Sequence, residues 1–112
     1  MATSEHDLPK CDAAVSLAFS VLGKRWNGMI IDALREETLS FSRLRRTVTG
    51  ISDAVLSDRL VELANVGLVA REVQSGPPVS VAYSLTPGGS ALVPVLDELG
   101  AWASEHIPVA HD

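Results

Sequence analysis

The stretch that most constrains the fold runs from Phe41 to Val69, FSRLRRTVTGISDAVLSDRLVELANVGLV. Ser40 is a helix-capping residue type, and Phe41, Leu44 and Val48 after it repeat at helical spacing. Thr49-Gly50 breaks the pattern. Ser52 can cap a second helix, with Asp53 in its first turn suiting the macrodipole, Leu56, Leu60 and Leu63 as its inner stripe, and Gly67 as its stop. Two short helices around a tight turn, followed by an extended segment, are the layout of a helix-turn-helix feeding a β-wing. That layout places one helix in a DNA major groove.

Elements on either side fit this unit. Residues 1–10 read as a loose arm, 11–107 as one winged domain, and 108–112 as a tail. Ala14, Val15, Leu17, Ala18, Phe19, Val21 and Leu22 fill most of a helix from Asp12 to Leu22, which is expected to be buried on more than one side and closed by Gly23. A second helix is expected from about Arg25 to Glu36, with Trp26, Met29, Ile30, Ala33 and Leu34 on one inward face. Gly28 inside it implies a close neighbour or a locally weak helix. Leu39 reads as an extended link. The wing spans about 68–86: an extended run from Leu68 to Ser75, a Gly76-Pro77-Pro78 break, and the alternating Val79, Val81, Tyr83 and Leu85. Thr86 and Pro87 open a last helix carrying Leu92, Val95, Leu96, Leu99 and Trp102, with Pro94 early enough to kink rather than break it. The fold class is therefore mainly α with a small β-hairpin wing. The apolar last helix would leave a solvent-facing stripe in a monomer, which argues for a homodimer.

Charge is distributed unevenly. The net charge of -5 is unusual for a DNA binder, but residues 24 to 71 hold eight cations, including every arginine, against six acids. No apolar run reaches the roughly 20 residues of a membrane span, and the polar, acidic start lacks the regions of a signal peptide, so a cytoplasmic location is expected.

Indexing the helix after the turn at 100° per residue points Ala54, Asp58, Val61 and Asn65 outward, with Ser57 on the shoulder. Ala54 suits a thymine methyl, Ser57 several base edges, and Asp58 the cytosine amino group. Ser52 lies at the same end. Arg59 falls nearer the core edge, where it would snorkel toward a phosphate. Arg43, Arg45 and Arg46 sit on the helix before the turn and would position the duplex through phosphates. Arg71 at the wing base would meet phosphate or a groove edge. The plainer alternative is a capped surface helix beside a solvated basic face. Phe19, Trp26 and Trp102 are either ordinary core or the lining of a ligand pocket.

Cys11, the single cysteine, excludes an intrachain disulfide; it is either a small buried hydrophobe or an exposed, reactive thiol. His6, His106 and His111 lack zinc-site spacing, and no catalytic triad, carboxylate pair or phosphate loop is present. The expectation is no enzyme activity, no metal and no cofactor.

Taken in order, Cys11, Leu22-Gly23-Lys24-Arg25-Trp26, Phe41-Ser42-Arg43-Leu44-Arg45-Arg46, Gly50-Ile51-Ser52, Leu56-Ser57-Asp58-Arg59-Leu60, Gly67-Leu68-Val69 and Tyr83-Ser84-Leu85-Thr86-Pro87-Gly88-Gly89 resemble the HxlR-type winged helix-turn-helix transcription regulators, which are akin to MarR-type regulators. The resemblance spans about Cys11 to Trp102. It implies a homodimer joined by the first and last helices and bound to a pseudo-palindromic operator in double-stranded DNA, acting as a repressor. It also implies a small-molecule or oxidant effector, with Cys11 in the position some members use to sense oxidants or electrophiles. The sequence departs from the family at Asp53, Ala54 and Asp58, where basic or polar residues are common. Two acids on the DNA side, with Glu62 repelling Asp58, leave a second reading: a winged-helix protein-interaction module that has lost DNA binding.

Overall fold

A computed structural model describes residues 10–109, and the side chains of 13–109. Residues 1–9 of the expected arm, the last residues of the tail, the Cys11 side chain, His6 and His111 lie outside the described residues, while Lys10, assigned to the arm, begins the first helix. Five helices and three strands follow in order: α1 (Lys10–Leu22), α2 (Arg25–Ala33), β1 (Leu39–Ser40), α3 (Phe41–Thr47), α4 (Asp53–Asn65), β2 (Val69–Gln74), β3 (Ser80–Leu85) and α5 (Pro87–His106). This is a winged helix.

The helix starts are set locally by side-chain caps. Ser40 Oγ accepts the Arg43 N–H, Ser52 Oγ accepts the Val55 N–H, and Thr86 Oγ1 accepts the Gly89 N–H. Thr86 also donates to the Gly67 carbonyl, tying the start of α5 to the end of α4. The turn between α3 and α4 needs a left-handed residue, and Gly50 supplies it with φ 94°.

The core lies where α2, α3, α4 and the sheet converge. Ile30, Ile31, Leu44, Leu56 and Leu63 are wholly or almost wholly buried, and each side chain of that size contributes about 1.5–3 kcal/mol by leaving water. The α3 and α4 stripes fall as the spacing predicts, with Phe41 half-buried at the edge.

Four expectations are corrected. The link at Leu39 is a strand: Leu39 pairs with Tyr83 and Ser40 with Ala82, giving an antiparallel sheet in the order β1-β3-β2. α2 stops at Ala33 rather than Glu36, because its ladder tightens: the Leu34 N–H reaches the Ile31 carbonyl and the Arg35 N–H reaches that of Asp32. Its buried face is also rotated, holding Asn27, Ile30, Ile31 and Leu34, while Met29 is 43% exposed. And α1 is not buried on several sides: Val15, Leu17 and Phe19 are exposed, with α1 resting on α2 and forming an open groove with Leu68, Leu92 and Val95.

Gly28 lies where three helices meet. A Cβ there would stand 3.7 Å from Leu96 and 3.8 Å from Leu22, ordinary contact distances, so α5 and α1 both neighbour α2 at this point with room for a methyl group. Arg35 adds a polar link, bridging Asp32 on α2 and Asp97 on α5. These two carboxylates raise the guanidinium pKa further, Asp97 most. α5 runs unbroken through Pro94.

Candidate nucleic-acid interface

α3 and α4 present one exposed surface. Arg43, Arg45 and Arg46 are exposed on α3, and Ala54, Ser57 and Asp58 are exposed on the first turns of α4. Trp26 packs beneath the connecting turn, 3.7 Å from where a Gly50 Cβ would sit, and stacks under the Arg25 guanidinium at 4.5 Å. The two helices are also joined on their outer side, where Arg45 Nε lies 3.0 Å from Asp53 Oδ1. Asp53 therefore offsets one of the three arginines in addition to suiting the α4 dipole.

The two shoulders of α4 differ. On one, Glu62 accepts from Lys24 Nζ at 3.1 Å through both oxygens and from the Arg59 guanidinium. The Lys24 hydrogen bond above all holds the Glu62 carboxyl below its ordinary range against desolvation, with the Arg59 and Lys24 charges and the Asn27 amide adding to the lowering. The Arg59 side chain is only 19% exposed. Its guanidinium, expected near the core edge and snorkelling toward a phosphate, rests on the Glu62 carboxylate. Glu62, turned toward two cations, is correspondingly spared repulsion with Asp58.

On the other shoulder, Ser57, Val61 and Asn65 of α4 line a cleft of about 460 Å³ together with Arg71 and Tyr83 of the wing. Arg71 sits directly across from Tyr83 in the β2–β3 register, so both face α4. Tyr83 is 8% exposed and belongs to the core as well as the cleft floor.

Arg43, Arg45, Arg46, Ser52, Ala54, Ser57 and Asp58 are all exposed along α3 and the start of α4, with Arg71 across the cleft and Arg59 on the opposite shoulder. Ser52 is occupied as a cap. The structure does not bring Phe19, Trp26 and Trp102 into one pocket. Trp102 lines an open groove on α5 with Pro94, Val95, Glu98 and Leu99, Phe19 is 57% exposed on α1, and Trp26 is under the turn. The sequence reading missed Lys24 and Glu62. They lie 38 residues apart and touch only through the fold, so no spacing rule could have paired them.

Among the described residues no group of three or more His, Cys, Asp or Glu side chains could hold a metal, and no helix is long and apolar enough to cross a membrane.

Residues 21–111 match the family model described as HxlR-like helix-turn-helix. The chain is 44% identical over 88 residues to the HTH-type transcriptional regulator YodB of Bacillus subtilis, covering 79% of each chain. The reduced form of YodB superposes with a TM-score of 0.78 at 41% identity, covering 86% of this chain and 94% of YodB. Its quinone-bound form gives 0.72 at 40% identity, covering 82% and 96%. The redox regulator HypR in its oxidized form gives 0.78 at 30% identity, covering 86% and 99%. With its capped helices, exposed arginine row and wing, the chain belongs to the HxlR-like helix-turn-helix family and is a transcription regulator of the HxlR/MarR type.

Proposed function

We propose that the chain is a homodimeric, sequence-specific DNA-binding protein that represses by occluding its operator. The observation that carries this reading is the shared surface of α3 and α4, where Arg43, Arg45 and Arg46 stand beside a capped helix whose first turns expose Ala54, Ser57 and Asp58. The arginines, with Arg71 on the wing, meet phosphates; Ala54, Ser57 and Asp58 meet base edges. Dimerisation is supported by apolar side chains left in solvent on α1 and α5, among them Leu17 at 71% and Trp102 at 53% exposure. A dimer offers two recognition helices to the half-sites of a pseudo-palindrome.

An oxidant or small electrophile is the effector in this reading, sensed at Cys11. The support is kinship with regulators solved in reduced, quinone-bound and oxidized states, and the place of Cys11 in the first turn of α1, a helix of the proposed dimer seam.

A gel shift at low salt with the DNA flanking the chain's own coding region tests binding. A shift that Cys11→Ser keeps but oxidant no longer abolishes supports the whole reading. No shift favours the second reading, a protein-interaction module, for which the salt bridge of Asp53 to Arg45 and the exposed Asp58 speak.

A further inference from the structure

The contacts of Glu62 with Lys24 and Arg59 have no role yet in the DNA-binding surface, although Glu62 and Arg59 lie on the helix that would read DNA. Arg59 and Glu62 are one turn apart on α4, and Lys24 belongs to the corner between α1 and α2. The corner is rigid where Lys24 leaves it. Asn27 is fully buried and its Nδ2 donates to the Val21 carbonyl at 2.9 Å, which locks the end of α1 to the start of α2. The side chains of Arg59 and Glu62 are mostly covered, at 19% and 23% exposure, so water screens this contact less than it would a surface pair.

We propose that Glu62 sets specificity: by holding Lys24 and Arg59 against the protein, it keeps two cations at the side of the recognition helix off the DNA backbone. This rests on the DNA-binding reading above. Phosphate contacts strengthen binding to every sequence alike, whereas base contacts discriminate. A helix with outward-facing Ala54, Ser57 and Asp58 has few base contacts to offer. Two further phosphate-bound cations beside it would raise the non-specific background more than the specific signal. Restraining them preserves the ratio on which a regulator depends. The same carboxylate also positions α4, because it pins the helix to the α1–α2 corner.

The test measures how binding of the full-length protein varies with salt, on a duplex selected from a random pool and on a scrambled duplex of equal length. Arg59→Met and Lys24→Met, each keeping Glu62, should leave the salt slope of wild type unchanged. Glu62→Gln should steepen it by about one unit for each freed cation per subunit. Glu62→Gln should also tighten binding to the scrambled duplex about tenfold or more and to the selected duplex by less, so that the specificity ratio falls. Adding Arg59→Met to Glu62→Gln should recover about one of those units per subunit, which a role in folding alone would not produce. Flattening of the wild-type slope by Arg59→Met or Lys24→Met would show those cations already on phosphates and overturn the proposal, while the DNA-binding reading stood. Binding by neither wild type nor Glu62→Gln would overturn both. An unchanged slope and specificity ratio in Glu62→Gln would likewise overturn the proposal, and should Glu62→Gln fail to fold, Glu62→Met is read by the same outcomes.

Discussion

Arg45 and Asp53 form an ion pair across the helix-turn-helix turn, Nε to Oδ1 at 3.0 Å, linking the last turn of α3 to the first of α4. Both side chains are largely in water, at 49% and 72% exposure, so the pair contributes little to stability, about 0–1 kcal/mol. In the DNA-binding reading its effect is on affinity. Arg45→Ala should weaken binding to all sequences and flatten the salt slope by about one unit per subunit. Asp53→Asn frees Arg45 and should strengthen binding to all sequences. Isotherms at several salt concentrations check both, and an unchanged slope for Arg45→Ala would remove Arg45 from the phosphate contacts.

Ser52 has a structural duty that can be separated from DNA contact. Ser52→Ala removes the acceptor for the Val55 N–H and should cost about 1 kcal/mol in urea unfolding. Ser52→Gly should cost only a few tenths of a kcal/mol. If the two variants unfold alike, the cap does not carry Ser52's contribution.

Two glycines should respond oppositely to alanine. At Gly28 a Cβ would make ordinary contacts with Leu96 and Leu22, so Gly28→Ala should stabilise by up to about 1 kcal/mol through helix propensity. At Gly89 a Cβ would collide with the Leu68 carbonyl oxygen, which is backbone and yields only if the chain shifts. Gly89→Ala should destabilise by about 3 kcal/mol. Thermal unfolding of the pair checks the packing of α5 on its neighbours.

Glu62 should also govern part of the acid sensitivity. Its folded pKa lies below the ordinary 4.5, chiefly through the Lys24 hydrogen bond. The stabilisation is therefore complete above that ordinary value and is lost as pH falls through the lower, folded one. The stability gap between wild type and Glu62→Gln, present at pH 7, should close below about pH 4.5. A gap that persists unchanged to acid would show that ionisation of Glu62 is not its source.

The solvent-facing stripe of α5 makes a prediction about assembly. Sedimentation at micromolar concentration should give twice the 11.9 kDa chain mass for wild type, and Leu99→Asp, placed within that stripe, should give a monomer. A monomeric wild type would leave the exposed Val95, Leu99 and Trp102 unexplained by self-association.

What the sequence revealed of the fold was what local geometry encodes. The caps at Ser40, Ser52 and Thr86, and the stripes of α3 and α4, depend on residues three or four apart, and all appear as the spacing implies. What it concealed depends on partners distant along the chain. β1 has two residues, too few for an alternation pattern, and is a strand only because β3 lies beside it. In α2 the stripe of Trp26, Met29, Ile30, Ala33 and Leu34 left out Ile31, and the burial of Ile31 turns the helix so that Asn27 is inside and Met29 outside. α1 is apolar nearly all round, which signals burial without naming the neighbour. The arginine row and the outward residues of α4 were legible because helix indexing finds a face. The pairing of Glu62 with Lys24 was not, because those residues lie 38 positions apart and only the fold brings them together.

The pairing of Leu39 with Tyr83 has a mechanical consequence. The residue after Leu39, Ser40, belongs to β1 and also caps α3, so the hairpin and the arginine row hang from the same short strand. The wing is then not a separate finger that can explore DNA while the helices stay still. Tilting β3 to follow a groove draws on β1, and β1 carries α3 with it. The wing and α3 are thus coupled through one short strand, so in the DNA-binding reading their two surfaces should meet a duplex together.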